Sequence, residues 1–314
     1  MSLAMKNLSP MQAYQVSVII PTLNAASHLP RIIESLRAQS LSALEIFVID
    51  SNSDDQTTEI ADSAGIRWET IPRELFNHGR ARNMAADLAD GNVLVFLSQD
   101  AMPKDDTFLE GLTRPIFEGK AVAVTARQIP YPDASPLEEY ARHANYPRES
   151  HIRTEADVAE MGVMAYFFSN AASAVRRDTI EAIGGFPEDV VVNEDMKLCA
   201  DLLHAGYAVA YQAEAEVFHS HEFDLRDQFG RYFDIGVFFD QAGEPIGDLN
   251  PIGRGRLFAF GQIRYLVDNR QWKWIPASII ESILKFVAFQ FGKYGHALPR
   301  WVKRLFSRQK YFWD

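Results

Sequence analysis

The sequence predicts an α/β fold with a mainly parallel sheet, helices on both faces of that sheet, and a helical C-terminal extension. Three observations predict it. Short β-branched apolar runs alternate with segments of helical periodicity in the first third of the chain. Polar residues follow the apolar runs, at the sheet edge where parallel strands bind ligands. From residue 225 onward helical patterns dominate.

The first part of the chain alternates between strand and helix signals. Val16–Ile20 is an apolar run ended by Pro21, and Leu44–Ile49 is a second run closed by Asp50. The next predicted elements are helices over 27–38, 56–64 and 79–89 and strands over 67–71 and 93–97. This strand-helix alternation predicts parallel strands that are covered on both faces.

The second part of the chain carries weaker signals. Residues 131–160 are polar and contain prolines, so we expect a mobile flap over the site. The remaining predicted strands cover 121–126, 167–175, 207–211 and 216–219, and the remaining predicted helices cover 179–183 and 195–205. Gly184, Gly185 and Gly206 follow those helices, where glycine commonly ends a helix.

Composition limits the class of protein. The chain has 314 residues, of which 47% are hydrophobic and 23% charged, so it can bury a full core. Its single cysteine, Cys199, excludes an intramolecular disulfide framework and fits a reducing compartment. The N-terminus does not have the pattern of a signal peptide. We therefore expect a cytoplasmic protein.

Charge is distributed unevenly along the chain. Residues 251–314 hold twelve Lys or Arg and three Asp or Glu, a net charge of +9, whereas the preceding 250 residues carry −20. The acidic body argues against nucleic-acid binding. The basic, aromatic tail suits an anionic membrane surface, so we expect peripheral contact through 276–310 on the inner face of the cytoplasmic membrane. A helical cap or a homodimer contact is the alternative.

Two carboxylate motifs indicate the chemistry. Ser98–Asp100 follows the apolar run of the last parallel strand, and Asn193–Asp195 directly precedes a helical pattern. A carboxylate just past a buried strand is well placed to hold a metal ion, and one at the start of a helix is well placed to act as a base. Together they predict a metal-assisted transfer enzyme.

Two N-terminal blocks, Val18–Asn24 and Val48–Thr57, resemble the nucleotide-binding blocks of the family 2 glycosyltransferases. That family has a GT-A (Rossmann-like) fold. Asp50 matches the family residue that hydrogen-bonds the pyrimidine base, and a site built for that bond discriminates strongly against other bases. Ser51 stands where the family more commonly has an Asp. The ribose contacts that the resemblance implies are therefore not carried over unchanged to this position.

The segment Phe76–Asn83 resembles the third block of the same family, which leads into a helix beside the diphosphate. Arg82 would then contact phosphate, or Arg82 and Asn83 would pin the loop to the strand edge; both roles stay open. The Phe-Asn-His-Gly version of the block is similar to the rhamnosyltransferase-like branch. It implies a dTDP-sugar donor, dTDP-rhamnose, with a UDP-sugar as the alternative.

Ser98–Asp100 stands where the family has its Asp-x-Asp metal motif, with Ser98 in place of the first Asp. The resemblance implies that Asp100 and His219 hold Mg²⁺ or Mn²⁺, with His221 as the alternative histidine. The missing carboxylate leaves a metal-independent enzyme open. Asn193–Asp195 matches the family's Glu-Asp motif, in which the Asp deprotonates the acceptor. Capping of the following helix is the alternative role.

The resemblance covers about residues 16–222. It implies three parts: a disordered N-terminus over 1–15, a GT-A catalytic domain over 16–222, and a helical, basic extension over 223–314. Catalysis is assigned to Asp195 and Glu194. Binding of the nucleotide and donor is assigned to Pro21, Thr22, Asn24, Asp50, Ser51, Ser53, Arg82, Asn83, Ser98, Gln99 and Asp100.

The function implied is inverting transfer of a sugar, rhamnose, from a nucleotide-diphosphate sugar to a glycan or lipid-linked acceptor in cell-surface polysaccharide synthesis. Two alternatives are kept. A nucleotidyltransferase that makes the nucleotide sugar would need a Gly-rich basic phosphate loop after the first strand, and residues 22–26 have none. A degenerate scaffold protein would fit the altered metal motif but not the retained Glu194 and Asp195.

Overall fold

The computed structural model describes residues 14–243, 246, 247, 249 and 251–313. The predicted disordered N-terminus therefore lies almost wholly outside the described residues. In the described part of the chain nine strands form one sheet. The strands are β1 (Val16–Thr22), β2 (Glu45–Asp50), β3 (Arg67–Thr70), β4 (Val93–Leu97), β5 (Met102–Pro103), β6 (Ala123–Ile129), β7 (His151–Arg153), β8 (Ala172–Arg176) and β9 (Val209–Phe218).

Helices occupy most of the remaining described residues. They are α1 (Leu29–Arg37), α2 (Thr57–Ser63), α3 (His78–Leu88), α4 (Phe108–Phe117), α5 (Pro136–Asn145), α6 (Val158–Met161), α7 (Arg177–Ala182), α8 (Glu194–His204), α9 (Leu225–Gln241), α10 (Ile252–Asp268), α11 (Ile275–Lys293) and α12 (Arg300–Phe306). The segment predicted as a flap thus contains α5, β7 and α6 rather than one continuous loop.

The first four strands of the sheet are parallel and lie in the order β3-β2-β1-β4. All five residues of β4 are buried, as expected of a strand covered on both faces. The register places Thr22, at the end of β1, beside Asp50, at the end of β2. The polar residues that follow these two strands therefore meet at one edge of the sheet.

The other half of the sheet contains antiparallel pairs. β8 pairs antiparallel with β4 and with β6, and both β5 and β7 pair antiparallel with β9. The sheet is therefore mixed, and the parallel arrangement predicted for it holds for four strands. The two late strands predicted over 207–211 and 216–219 are one strand, β9, because alternate residues in it stay buried without a break.

The chain divides into two compact units. The first unit holds residues 1–128, 147–188 and 198–219, and the second holds 129–146, 189–197 and 220–314. In the second unit α9 crosses α11 at a pair of glycines. A Cβ atom on Gly236 would lie 2.2 Å from the carbonyl oxygen of Phe289, and one on Gly292 would lie 2.0 Å from that of Phe233. Only glycine permits this close packing.

Candidate active site

The ends of β1 and β2 are joined through the carboxylate of Asp50. Its oxygens accept hydrogen bonds from Thr22 Oγ1 at 2.9 Å, from the Ser53 backbone N–H at 2.8 Å and from Ser53 Oγ at 2.6 Å. Asp50 is 1% exposed. Its observed contacts bind the loops after β1 and β2 together, and the contact with a base assigned to it stays a prediction.

The loops after β1 and β2 hold each other through short polar contacts. Asn24 has φ +54°, a left-handed conformation that asparagine tolerates better than most residues. Its backbone N–H donates to Ser53 Oγ at 2.8 Å, and its side-chain oxygen accepts from the Asp54 N–H at 2.9 Å. The two N-terminal blocks are thus bonded to each other as one cradle.

Gln99 ties the end of β4 to the same cradle. Its Oε1 accepts from the Leu23 N–H at 2.7 Å, and its Nε2 donates to the Leu23 carbonyl at 3.1 Å. The side-chain amide therefore satisfies both backbone groups of Leu23. This arrangement gives Gln99, assigned to donor binding, a structural role beside that prediction.

Asp100 and His219 meet because β5 and β9 are paired, with Met102 opposite Phe218. His219 Nε2 lies 3.4 Å from Asp100 Oδ1, and His219 is 8% exposed. Asp100 and His219 both belong to the first unit. The structure thus brings together the two residues assigned to the metal.

Gln128 orients the ring of His219. Its Oε1 lies 2.8 Å from His219 Nδ1, and its Nε2 donates to Ser169 Oγ at 2.8 Å. Because an amide oxygen can only accept, Nδ1 is the donor in this contact, and Nε2 is the ring nitrogen that faces Asp100. Metal-binding histidines are commonly held by a carbonyl oxygen on the opposite ring nitrogen.

This donor set fits a divalent cation. The carboxylate oxygen and the imidazole lone pair would repel each other at 3.4 Å unless a proton or a cation lay between them. Ligands at about 2.1 Å from a metal and at a right angle are about 3 Å apart, close to the observed separation. The family's first carboxylate is absent, because Ser98 occupies that position.

The third block forms the start of α3 and clamps the segment after α7. Asn77 caps α3, accepting from the backbone N–H groups of Gly79 at 2.8 Å and Arg80 at 3.1 Å, and its Nδ2 donates to the Glu188 carbonyl at 3.1 Å. Asn83 Oδ1 accepts from the Phe186 N–H at 2.7 Å. These contacts hold α3 to the segment after α7 rather than to a strand edge, and both roles left open for Arg82 and Asn83 stay predictions.

The clamp is reinforced by charge and by close packing. Glu188 accepts from Asn83 Nδ2 and from Arg80 Nε, each at 3.0 Å. Burial raises the pKa of Glu188, but these two hydrogen bonds outweigh it, so the pKa lies below its usual value. A Cβ atom on Gly79 would lie 2.1 Å from the carbonyl oxygen of Pro187, so no larger residue fits there.

Arg82 is directed along its own helix. It is 6% exposed, and its Nη1 donates to the carbonyl of His78 at 2.9 Å. A phosphate contact from Arg82 would need this side chain to turn outward. Its role at the donor therefore stays a prediction that the present conformation does not itself display.

The Glu194 and Asp195 pair lies at the start of α8, in the second unit. Asn193 has φ +60°, which turns the chain sharply into the helix. Glu194 is 7% exposed, whereas Asp195 is partly open to solvent and accepts from the Met196 N–H at 2.8 Å. Of the two carboxylates, Asp195 is the more exposed to solvent.

Sequence reasoning missed Gln128. A polar residue at a buried position of a strand is a usable signal, and Gln128 is 2% exposed in β6. Its partner His219 lies 91 positions away, so the pairing itself could only come from the fold. Asn83 was singled out, but its partners after α7 were not.

Comparison with known proteins identifies close sequence relatives. A model of the family described as glycosyl transferase family 2 matches residues 17–184. The O-antigen chain rhamnosyltransferase RfbN of Salmonella typhimurium is 37% identical over 303 residues, 96% of this chain and 96% of the relative. WbaN of Salmonella anatum, also named an O-antigen chain rhamnosyltransferase, is 35% identical over 310 residues, 95% of each chain.

Solved structures with a similar architecture include a mannosyltransferase and TarS 1-349. PcManGT from Pyrobaculum calidifontis, in complex with GDP-Man and Mn²⁺, aligns with a TM-score of 0.57 at 17% identity, covering 96% of this chain and 86% of PcManGT. TarS 1-349 of S. aureus aligns with a TM-score of 0.53 at 17% identity, covering 93% and 83%. Similarity at this level shows the fold alone.

Proposed function

The chain belongs to glycosyltransferase family 2, and we propose that it transfers rhamnose from a nucleotide-diphosphate sugar to a glycan or lipid-linked acceptor. The predicted GT-A fold and glycosyltransferase activity are confirmed. The strongest support for rhamnose is the match to two O-antigen chain rhamnosyltransferases over nearly the whole length of both chains. The same relatives favour cell-surface polysaccharide as the product.

The donor would bind at the cradle after β1 and β2. Thr22, Asn24 and Ser53 line its bonded loops, and Asp50 holds them from below. A dTDP-sugar is our first choice of donor. Pro21, Ser51 and Ser98 remain assigned to the same site from the family resemblance.

A divalent cation, Mg²⁺ or Mn²⁺, would be held by Asp100 and His219. The carboxylate and Nε2 of the imidazole are suitable ligands, and the Gln128 contact on Nδ1 leaves Nε2 as the ring nitrogen that faces Asp100. His221, two residues further along the chain, is the alternative histidine. When bound, the cation would neutralise charge on the leaving nucleoside diphosphate.

Asp195 would act as the base. The acceptor hydroxyl oxygen attacks the anomeric carbon, the bond from that carbon to the diphosphate oxygen breaks, and the hydroxyl proton passes to the Asp195 carboxylate. The products are a glycoside of inverted configuration and a nucleoside diphosphate. Glu194, which is buried, would position the start of α8 rather than contact the acceptor.

The basic C-terminal region favours a place at the membrane for this enzyme. The enzyme would work in the cytoplasm, peripheral to the inner face of the cytoplasmic membrane, where a lipid-linked acceptor is accessible. The net charge of +9 over residues 251–314 supports that placement.

A thermal-shift panel tests donor and metal together. The purified chain would be heated with dTDP-rhamnose, UDP-glucose, GDP-mannose or dTTP, each with and without Mn²⁺. A ligand at a hundred times its Kd stabilises by about 2.7 kcal/mol, so a true donor gives a clear shift. We expect the largest shift with dTDP-rhamnose plus Mn²⁺. A shift with dTTP alone would favour the nucleotidyltransferase, and binding without turnover would favour the scaffold.

A further inference from the structure

α11 carries its charges on the side that faces the protein. Glu281 and Lys285 form a pair with Lys285 Nζ 2.9 Å from Glu281 Oε2, and both side chains are less than 20% exposed. Lys285 Nζ also lies 5.6 Å from the centre of the Tyr232 ring of α9. The tightly packed Ala288 and Gly292 share this side of the helix.

The opposite side of α11 is apolar and exposed. It presents Ile279, Ile280, Ile283, Phe286 and Val287, each between 43% and 60% exposed. These positions fall on one face at 100° per residue. A surface helix in water normally shows the reverse pattern, with charges outward and apolar residues inward. We name this set of five residues the outer face of α11.

Neighbouring helices extend this surface. α10 packs against α11 through Ser278 Oγ, which donates to the buried Gln262 at 2.7 Å. On α10, Leu257 and Phe260 are 70% and 72% exposed, and Arg264 shares their side of the helix. Aromatic residues stand near both ends of α11, as they do at membrane interfaces: Trp272 before it and Tyr294 after it are exposed.

Within the described residues, 272–293 form a helical stretch long and apolar enough to cross a membrane, and 22% of its most apolar 18-residue window is buried. The packing of α11 on α9 indicates that the helix lies on a bilayer rather than spans it. Its inner side is already occupied at the close contact between Gly236 and Gly292. Only the outer face is left for lipid.

The charge around this surface indicates which partner it binds. Residues 251–314 carry +9, and several basic side chains around the apolar helices are exposed, among them Arg256, Arg264, Arg300 and Arg304. A second copy of the chain would bring an equally basic surface and be repelled, whereas anionic lipid headgroups are attracted. We propose that the outer face of α11 inserts into the headgroup region of an anionic bilayer, flanked by these arginines.

Vesicle flotation of the full chain tests the proposal. The probes are vesicles of phosphatidylcholine alone and of phosphatidylcholine mixed with phosphatidylglycerol. The variants are I280Q/I283Q on the outer face and R300Q/R304Q beside it, with L44Q as the matched control because Leu44 is 49% exposed in the first unit. We expect the unsubstituted chain and L44Q to float with anionic vesicles, and both double variants to bind at least tenfold more weakly.

Three results would overturn the proposal. The unsubstituted chain could fail to float with anionic vesicles, or I280Q/I283Q could float as well as L44Q. Light scattering could instead show a dimer that I280Q/I283Q converts to a monomer, which would make the outer face a self-association surface. The assay contains no donor, so it is independent of the proposed rhamnose transfer. An unchanged melting temperature without ligand, together with an unchanged far-UV circular dichroism spectrum, would show that each variant is folded.

Discussion

The Nδ1 atom of His219 lies 2.8 Å from Oε1 of Gln128, and this contact decides which ring nitrogen is available to a metal. Gln128 is itself held by Ser169, at 2.8 Å. The arrangement orients Nε2 of the imidazole towards Asp100. A buried amide therefore prepares a site whose family motif lacks one carboxylate.

Replacing Gln128 by leucine should weaken Mn²⁺ binding by about ten- to a hundredfold, because the imidazole loses the acceptor that fixes its tautomer. Titration calorimetry with Mn²⁺ in the presence of the nucleoside diphosphate measures this. Gln128→Glu should restore most of the affinity, since a carboxylate also accepts from Nδ1–H. Equal Mn²⁺ affinity in Gln128→Leu and the unsubstituted chain would show that the contact has no role at the metal.

Replacing Asp195 by asparagine should lower the transfer rate by about a hundredfold or more, because the amide cannot take the acceptor proton. The thermal shift with nucleotide sugar should be unchanged. Asp87→Asn, at an exposed position of α3, is the control and should retain full activity. Normal turnover of Asp195→Asn in a radiolabelled sugar-transfer assay would remove the base assignment.

Replacing Gly79 by alanine should lower the melting temperature and the transfer rate together. The new Cβ atom would meet the Pro187 carbonyl at 2.1 Å and push the segment 184–188 away from α3. Asn83→Ala should lower the free energy of unfolding by about 1–3 kcal/mol, because it leaves the Phe186 N–H without its acceptor. Gly255→Ala, where a Cβ meets nothing within 4 Å, should be neutral or stabilising. A thermostable, active Gly79→Ala protein would contradict the clamp.

Asp234 should make stability depend on pH. Burial raises its pKa from 3.8 to about 6, against hydrogen bonds from Ser307 and the backbone N–H groups of Arg308 and Gln309. The folded state therefore holds the proton more tightly than the unfolded state. The stability that protonated Asp234 contributes is fully present below about pH 4 and is lost as the pH rises through about 6. The free energy of unfolding should fall by about 3 kcal/mol over this range, at about 1.36 kcal/mol per pKa unit.

Urea unfolding at pH 4.5 and pH 7.5 checks this prediction. Asp234→Asn is uncharged at both values, so its stability relative to the unsubstituted chain should rise between them. A difference that is the same at both pH values would mean that Asp234 titrates normally in the folded state.

The parallel half of the sheet could be predicted because its signals are local. The apolar runs ending at Thr22 and Asp50 are bounded by polar residues, and each is a complete strand. The antiparallel half could not, since the direction of β8 depends on which strand it joins rather than on its own pattern. β9 was divided in two because its middle, residues 212–215, alternates glutamine or glutamate with alanine and lacks a strong apolar signal.

In the candidate site, too, residues with a local signal could be predicted and contacts between distant residues could not. Asp100, His219 and Asp195 could be selected from motifs, because each stands in a recognisable block. The partners that orient them could not, since Gln128 is 91 positions from His219 and Phe186 is 103 positions from Asn83. Asp50 was assigned to the ligand, whereas its buried carboxylate is seen to bond the protein's own loops.

The packing of α11 on α9 has a practical consequence for purifying the protein. The ring of Phe233 lies 5.5 Å from that of Phe291, and Phe239 lies 5.7 Å from Phe289, so α11 covers aromatic residues of α9. Truncating the chain before α11 would expose these aromatic residues of α9 as a second apolar surface and promote precipitation. Polar substitutions confined to Ile280 and Ile283 should instead give a detergent-free, concentrated sample that keeps its catalytic body intact.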